Sequence, residues 1–314
     1  MKNILNAPFK SVHQSAPFDQ IKTSDFIPAL EIEIDETLKE INQICTQTEL
    51  PSFENTLEAL DQSGEQLGII TSILFNLNSA ETNTELQEVV QKAAPLLTNF
   101  QNDIRLNEVL FLRIKTVYNQ KEDLNLTPEQ NTLIEKEYKS FVRNGALLSL
   151  KDKEKLRTID KELAQLSLTF GEHVLADSQA FELHITQEEQ LAGLPQTSIA
   201  MAKKLAQKKK KKGWIFTLDY PSYVPFVTYA DNRGLREKMS HAFGKKGFQE
   251  NDNNNEKIIL RLIYLKKDRA NLLGYKSHAD FVLEERMAKS EKVVNKFLDD
   301  LYQSALPFAQ KEWG

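Results

Sequence analysis

The chain has 314 residues, of which 40% are hydrophobic and 27% are charged, a balance typical of a globular protein. Its formal net charge of −5 gives no reason to expect nucleic acid as a partner, because a phosphate-binding face normally needs clustered lysine and arginine. No apolar run in the sequence approaches the roughly 18 residues that span a bilayer, so we expect no membrane partner.

Cysteine usage and the N-terminal sequence both favour the cytoplasm. Cys45 is the one cysteine of the chain, so no internal disulfide indicates an oxidising compartment. The N-terminal stretch "MKNILNAPFKSV" lacks the apolar segment of a secretory signal. Because Cys45 follows Ile41 and Ile44 in an apolar pattern, we interpret it as a buried small side chain rather than a nucleophile.

Helical periodicity dominates the chain up to about residue 178. Asp25 is a plausible N-cap for a first helix, in which apolar residues recur every three or four positions. A second long helix is predicted over 52–77. A third pattern covers 84–118, with Pro95 as a kink or break.

Two further helices have start signals of their own. Thr127 is a predicted N-cap, and Pro128 follows at the first helical position, where its missing N–H costs least. Ser149 and Asp152 resemble a capping box. The helix that follows carries one apolar stripe, which consists of Leu156, Ile159, Leu163, Leu166, Phe170 and Val174.

Two segments break this helical rhythm. "FELHIT" (181–186) and "WIFTLD" (214–219) alternate apolar and polar residues, which predicts a small two-stranded β element with a helix between the strands. "DYPSYVPFVTY" (219–229) is interpreted as an irregular packed segment, and helices resume at about Asn232. The predicted fold is mainly α, a multi-helix array divided into a helical region, 1–178, and a second region, 179–314.

The five histidines do not form a metal-binding motif. They are His13, His173, His184, His241 and His278. The closest two are 11 residues apart, and no H-E-x-x-H is present. His173 with Asp177, and His184 with Glu188, have the i, i+4 spacing of ligands on one helix face, but we interpret both pairs as solvent-exposed or capping residues. The sequence therefore predicts no metal ligand and no catalytic residue in 1–314, and it identifies no substrate-binding residue.

Other catalytic motifs are also missing. The sequence has no G-x-S-x-G nucleophile motif, and "GKKG" (244–247) lacks P-loop spacing, so it is interpreted as a turn that ends a helix. The lysine run 208–212 is either a solvated helix end or an anionic-surface patch, and we favour the helix end.

The stretch "HADFVLEERMAKSEKVVNKFL" (278–298) predicts two helices with a break between them. Ser277 with Asp280 forms a capping-box-like start, and Ser290 caps the next helix. Its charged cluster, which consists of Glu284, Glu285 and Arg286, is interpreted as a solvated or ion-paired helix face rather than a catalytic group. Val293, Phe297 and Leu301 lie on one apolar stripe of the last helix.

Several segments carry a resemblance to a known family. They are "APFDQIKTSDFIPALEIEI" (16–34), "PSFENTLEALDQSGEQL" (51–67), "NEVLFLRIKTVY" (107–118), "LAGLPQTSIAMA" (191–202), "YADNRGLREKMSHAFGKKG" (229–247) and "LKKDRANLLGYKSHADFVLEERMAKSEKVVNKFLDDLYQSA" (265–305). In this order they resemble the thimet oligopeptidase-like zinc metallopeptidases, the group of oligopeptidase A and dipeptidyl carboxypeptidase. The resemblance covers nearly the whole chain.

The resemblance implies a peptide hydrolase whose zinc lies outside this sequence. In the family an H-E-x-x-H helix and a downstream glutamate hold the zinc, in the C-terminal half of a chain about twice as long. We therefore expect 1–314 to be an N-terminal fragment that binds no zinc and is inactive alone. Its implied partners are short peptides and the missing catalytic half, and exposed apolar surface predicts self-association. A standalone helical scaffold, or one half of a split enzyme, stays open.

Overall fold

A computed structural model describes residues 3–80 and 82–313 of this chain, and it confirms a mainly α fold with one small sheet. The helices are α1 (Phe26–Thr46), α2 (Ala59–Gln62), α3 (Glu65–Ala80), α4 (Thr84–Arg105), α5 (Glu108–Asn119), α6 (Pro128–Arg143), α7 (Leu150–Ala180), α8 (Gln196–Lys208), α9 (Tyr220–Tyr229), α10 (Arg233–Gly244), α11 (Glu256–Leu272), α12 (His278–Leu283) and α13 (Glu291–Trp313). The strands are β1 (Leu183–Ile185) and β2 (Trp214–Phe216). Within the described ranges, the helices lack the combined length and apolar character that a bilayer crossing needs.

The chain divides into two compact units. Unit 1 consists of Met1–Gln165 with Ile263–Gly314, and unit 2 is the continuous segment Leu166–Leu262. The divisions fall inside α7 and α11. These divisions differ in position from the domain boundary predicted between residues 178 and 179. That domain boundary stays a prediction.

The core of unit 1 forms where α1, α5 and α6 present apolar faces to one another. Its fully buried residues include Leu57, Leu110, Ile114, Ile134 and Phe141, which form one cluster. The predicted start of α6 is confirmed, because the Thr127 hydroxyl accepts from the Gln130 N–H at 3.3 Å and the Gln130 side chain accepts from the Thr127 N–H at 3.0 Å. This reciprocal cap satisfies two N–H groups that a helix start otherwise leaves unpaired.

The predicted continuous helix over 52–77 is wrong, because it breaks at Ser63 and Gly64. A π-helical turn, Phe53–Glu58, leads into α2, and α3 starts again at Glu65. Gly64 has a φ of +72°, a left-handed conformation that favours glycine. Its N–H leaves the helix pattern and donates to the Glu40 carboxylate at 3.0 Å.

The third predicted helix is also two helices, and the break is not at its proline. α4 runs through Pro95, and the chain leaves the helix at Leu106 instead. Asn107 then starts α5, because its side-chain oxygen accepts from the Leu110 N–H at 3.0 Å. A proline inside a helix removes one hydrogen bond, whereas an N-cap asparagine supplies a favourable start for a new helix.

Unit 2 contains the predicted sheet, which is confirmed. β1 and β2 pair antiparallel, with Leu183 opposite Phe216 and Ile185 opposite Trp214. Gly213 precedes β2 with a φ of +90°, and a Cβ there would lie 2.2 Å from the Ile185 carbonyl oxygen, so only glycine fits this close approach.

The segment 219–229 is a helix rather than an irregular segment. It forms α9, in which Pro221 occupies the first turn, where no N–H partner is needed, and Pro225 lies inside. Phe226 of α9 is fully buried and packs edge-to-face on Phe216 at a centroid distance of 4.7 Å. This aromatic contact packs α9 against the sheet.

Candidate functional site

Two of the five histidines, His173 and His184, make separate hydrogen bonds. His173 Nδ1 lies 2.9 Å from Asn255 Oδ1, and His184 Nε2 donates to the Lys212 carbonyl oxygen at 2.6 Å. Among residues 3–80 and 82–313, no three His, Cys, Asp or Glu side chains come together as metal ligands would.

Asp177 is buried, whereas the sequence predicted a solvent-exposed or capping residue. Its carboxylate accepts four hydrogen bonds from one loop: from the Gly247 N–H at 2.8 Å, Gln249 Nε2 at 3.1 Å, Asn251 Nδ2 at 3.0 Å and Asn253 Nδ2 at 2.9 Å. Burial raises the pKa of Asp177, but these donors together outweigh burial and hold the pKa below its usual value. A carboxylate with this many N–H partners is a structural anion rather than a metal ligand.

The other acidic candidate, Glu188, is exposed as predicted, and so is His184. The lysine run lies at the end of α8 and is partly ion-paired. Glu182 forms an ion pair with Lys209 and a second one with Lys211, whose Nζ lies 2.8 Å from the carboxylate. Hydrogen bonds from these two ammonium groups lower the pKa of Glu182 to about 2. This arrangement supports the interpretation of 208–212 as a helix end rather than a separate anion site.

Cys45 is half-buried, in line with its interpretation as a small packing residue. Burial raises the pKa of the Cys45 thiol, and a protonated thiol is a poor nucleophile.

The charged cluster that follows α12 is ion-paired with α6. Arg143 donates to the Phe281 carbonyl oxygen at 2.6 Å and to the Tyr275 hydroxyl at 3.1 Å, and it forms an ion pair with Glu284. The Tyr275 hydroxyl in turn donates to Glu284 at 2.7 Å. The Arg143 guanidinium also lies 4.4 Å from the centre of the Phe281 ring. These contacts fix α12 against α6, which is a scaffolding role.

Lys139 extends the same network, since it pairs with Glu285 and lies 3.6 Å from Glu284. A hydrogen bond from Lys139 is the main reason that the pKa of Glu285 is lowered. Glu284 and Glu285 are ion-paired and Arg286 is exposed, but all three lie in the turn after α12 rather than on a helix face.

His278 lies at the start of α12 and is half-buried. Its pKa is lowered by burial, and the charges of Lys266 and Arg269 lower it further. Its ring packs on Phe281 at a centroid distance of 6.3 Å. Arg269 itself donates to Asp160 at 2.6 Å, so this residue also has a structural partner.

The last helix, α13, presents an unpacked apolar stripe. None of its described residues is buried, and Val293, Phe297 and Leu301 are 52%, 62% and 51% exposed. The cap predicted at Ser290 is present, because its hydroxyl accepts from the Val293 N–H at 3.4 Å.

Comparison with known proteins shows similarity to one peptidase family. Residues 226–314 match Peptidase family M3. Over 98% of its length the chain is 30% identical to Oligopeptidase A of Haemophilus influenzae. The chain is similar to M3 peptidases over part of their length. It is also 32% identical, over 94% of its length, to Dipeptidyl carboxypeptidase of Escherichia coli, and 28% identical over 99% to Oligopeptidase A of that organism. The predicted resemblance to this peptidase group is confirmed.

The chain spans about half the length of the curated M3 relatives it matches, with shares of 46%, 44% and 46% for these three. The M3 match runs from within α9 to the end of the chain, and it contains 229–247 and 265–305, two of the segments singled out in the sequence.

Sequence reasoning missed the two residues that organise these regions, Arg143 and Asp177. In the sequence, Arg143 looks like a cation in the last turn of a helix, where it would stabilise the helix dipole. Its actual partners lie 132 to 141 residues away, so local sequence does not reveal them. Asp177 did leave a signal, since the run "NDNNN" (251–255) offers an unusual density of amide donors.

Proposed function

We propose that residues 1–314 form a non-catalytic part of a zinc-dependent M3 peptide hydrolase that acts on short peptides in the cytoplasm. The observation that supports this proposal is the similarity to Oligopeptidase A, which extends over 98% of this chain but only 46% of that relative. The chain itself has no H-E-x-x-H motif. The zinc ligands, the general base and the peptide-binding groups then belong to sequence outside 1–314.

The described geometry supports a scaffolding part rather than an active centre. The acidic and histidine side chains of the candidate site are held by structural partners, such as the four donors around Asp177 and the Arg143 contacts of Glu284. Hydrolysis by a zinc enzyme needs ligands that leave one metal position open for water, and these side chains are not arranged for that purpose.

The purified 1–314 chain provides the direct test. We expect elemental analysis after dialysis to find no stoichiometric zinc. We also expect no chelator-sensitive cleavage of internally quenched peptides. One tightly bound zinc per chain together with chelator-sensitive cleavage would refute the proposal.

A complementation assay addresses the split-enzyme alternative. Adding a separately produced segment that carries H-E-x-x-H should give peptidase activity that neither part has alone. The nucleotide sequence after the Gly314 codon distinguishes the standalone scaffold. An open frame that reaches H-E-x-x-H supports the enzyme, and a stop codon there supports the scaffold.

A further inference from the structure

Unit 1 contains a cavity that is remote in sequence from the M3 match. It has a volume of about 620 Å³ and is lined by α1, α2, α3, α4 and α6. This volume lies within the roughly 300–1,000 Å³ that is usual for small-molecule sites. It is bounded by residues of unit 1 alone, so it is a property of this unit.

The cavity has an apolar interior and a polar rim. Leu67 and Phe100 of the lining are buried, and Leu60, Leu97 and Ile104 are half-buried. Asp61, Ser72 and Gln101 of the lining are exposed. A ligand that fits this arrangement has an apolar body and one polar end.

The lining hydroxyls are mostly committed to the helices that carry them. Thr37, Ser63 and Thr71 donate to the carbonyl oxygens of Glu33, Leu60 and Leu67 at 2.7 Å in each case. These three groups therefore have little remaining capacity to donate to a ligand.

The charges of the lining select a positive ligand. Arg105 is paired with Glu137 at 2.7 Å and lies 4.8 Å from the centre of the Phe141 ring, so its charge is already balanced. Asp61 makes no side-chain hydrogen bond or ion pair with the residues that the structure describes. The lining thus carries one exposed carboxylate without a described partner, at the rim of an apolar interior.

Gly68 keeps part of this space open. It lies inside α3, where glycine costs roughly 0.5–1 kcal/mol relative to alanine. A Cβ at this position would meet no atom within 4 Å. The position has no packing need for glycine, and a longer side chain there would extend into open space next to the lining.

We propose that this cavity binds a small amphipathic cation, with its ammonium group on Asp61 and its apolar body against Leu67 and Phe100. The site is independent of the proposed peptidase role, because it requires neither zinc nor hydrolysis. Its test is a binding measurement, so failure here leaves the proposed function unaffected.

Three matched probes test the charge selection: 4-phenylbutylamine, 4-phenylbutanol and 4-phenylbutyrate, titrated into the 1–314 chain and followed by amide NMR shifts. We expect the amine to bind at least about tenfold more tightly than the alcohol or the acid, with shifts at α3 and α4 lining residues. Equal affinity for the amine and the alcohol, or no saturable shift of the lining residues up to roughly 10 mM amine, overturns the proposal.

Variants locate the binding. Asp61→Asn should weaken amine binding by about tenfold, whereas Asp35→Asn, which removes an exposed carboxylate outside the lining, should not. Gly68→Met should weaken amine binding by at least about tenfold, because its side chain fills space in the cavity. Gly171→Met in α7 is the control, since a Cβ at position 171 also meets no atom within 4 Å. Ser72→Met fills the same α3 face if Gly68→Met does not fold. Unchanged amine binding in Asp61→Asn and in the folded filling variants contradicts the site.

Discussion

A buried carboxylate organises the loop that leads into α11. Asp177 receives its donors from 247–253, and the next polar residue, Asn255, donates to the Phe170 carbonyl oxygen at 3.1 Å while its Oδ1 lies 2.9 Å from His173 Nδ1. The amide side chains of this stretch are consequently structural, and they explain a composition that otherwise looks like a solvated linker.

Replacing this carboxylate tests its role. Asp177→Asn should lower the free energy of unfolding at pH 7 by about 2–3 kcal/mol, because the new amide presents N–H groups to a cluster of N–H donors. Urea unfolding measures the change. The exposed Asp252 of the same loop provides the control, and Asp252→Asn should change stability by less than about 0.5 kcal/mol.

The effect of Asp177 depends on pH in a defined direction. Its folded-state pKa lies below that of the unfolded chain, so its contribution is complete above the unfolded pKa of about 4 and is lost as pH falls through the folded value. The stability difference between wild type and Asp177→Asn should therefore shrink below about pH 4. A difference that stays constant from pH 7 to pH 3 would show that the carboxylate charge is irrelevant.

At the residue scale, the sequence predicts local caps well and distant partners poorly. Thr127 and Ser277 accept from N–H groups three residues later, as predicted, at 3.3 Å and 3.1 Å. Asp177 was not predicted as a loop anchor because its partners lie 70 to 76 residues away. Capping is encoded by neighbours in sequence, whereas burial of a carboxylate depends on the tertiary fold.

At the element scale, the break between α2 and α3 depends on one glycine. Gly64→Ala should destabilise unit 1 by about 1–3 kcal/mol, because the position has a φ of +72° and the added Cβ would lie 2.9 Å from Thr37 Cγ2. Gly68→Ala, four residues further on, should stabilise it by about 0.5–1 kcal/mol, because this glycine lies in a regular helix with open space at its Cβ. Urea unfolding of both variants should give opposite signs, and equal signs would contradict the assigned break.

The attachment of α12 depends on Arg143. Arg143→Met should lower the free energy of unfolding by about 2–3 kcal/mol, because it leaves the Phe281 carbonyl, the Tyr275 hydroxyl and Glu284 without their shared donor. The Arg143 side chain is 10% exposed, so water replaces these bonds only in part.

Lys139→Met is the matched control for this change, since Lys139 comes from the same helix and pairs with the same acidic stretch. Its side chain is 42% exposed, so we expect a loss below about 1 kcal/mol. Thermal unfolding monitored by circular dichroism compares the two. A loss for Lys139→Met as large as that for Arg143→Met would assign the stability to surface charge rather than to the buried network.

The helices were predictable from apolar spacing, but two of their breaks were not. The break at Ser63 and Gly64 lies in the polar run 61–66, but Leu60 and Leu67 on either side keep helical spacing, so apolar spacing alone does not show it. At the break Gly64 has a φ of +72°, and its N–H donates to the Glu40 carboxylate. For α9 the sequence predicted too little helix rather than too much. The prolines of "YPSYVPFVTY" suggested an irregular segment, although the first of them lies in the first turn, where a helix tolerates proline.

At the scale of the whole molecule, α13 predicts self-association of the isolated chain. Phe297→Glu combined with Leu301→Glu should weaken dimerisation by at least about tenfold, because both side chains are more than half exposed on one apolar stripe. Sedimentation velocity over a concentration series measures this association.

Leu112→Glu provides the control, since Leu112 is 59% exposed on α5, away from this stripe in sequence. It should leave the association unchanged. A wild-type chain that remains strictly monomeric at high concentration would contradict the prediction that the α13 stripe needs a covering surface.

The interrupted sequence of unit 1 has a consequence for synthesis on the ribosome. Arg143 and Glu284 are 141 residues apart, and translation adds roughly 5–20 residues per second, so Arg143 emerges about 7–28 s before its acceptor. The whole of unit 2 is made during that interval, and it can fold as one continuous segment. The α6 surface that later receives α12 remains uncovered during that interval, which leaves it open to aggregation and chaperone binding until α12 is made.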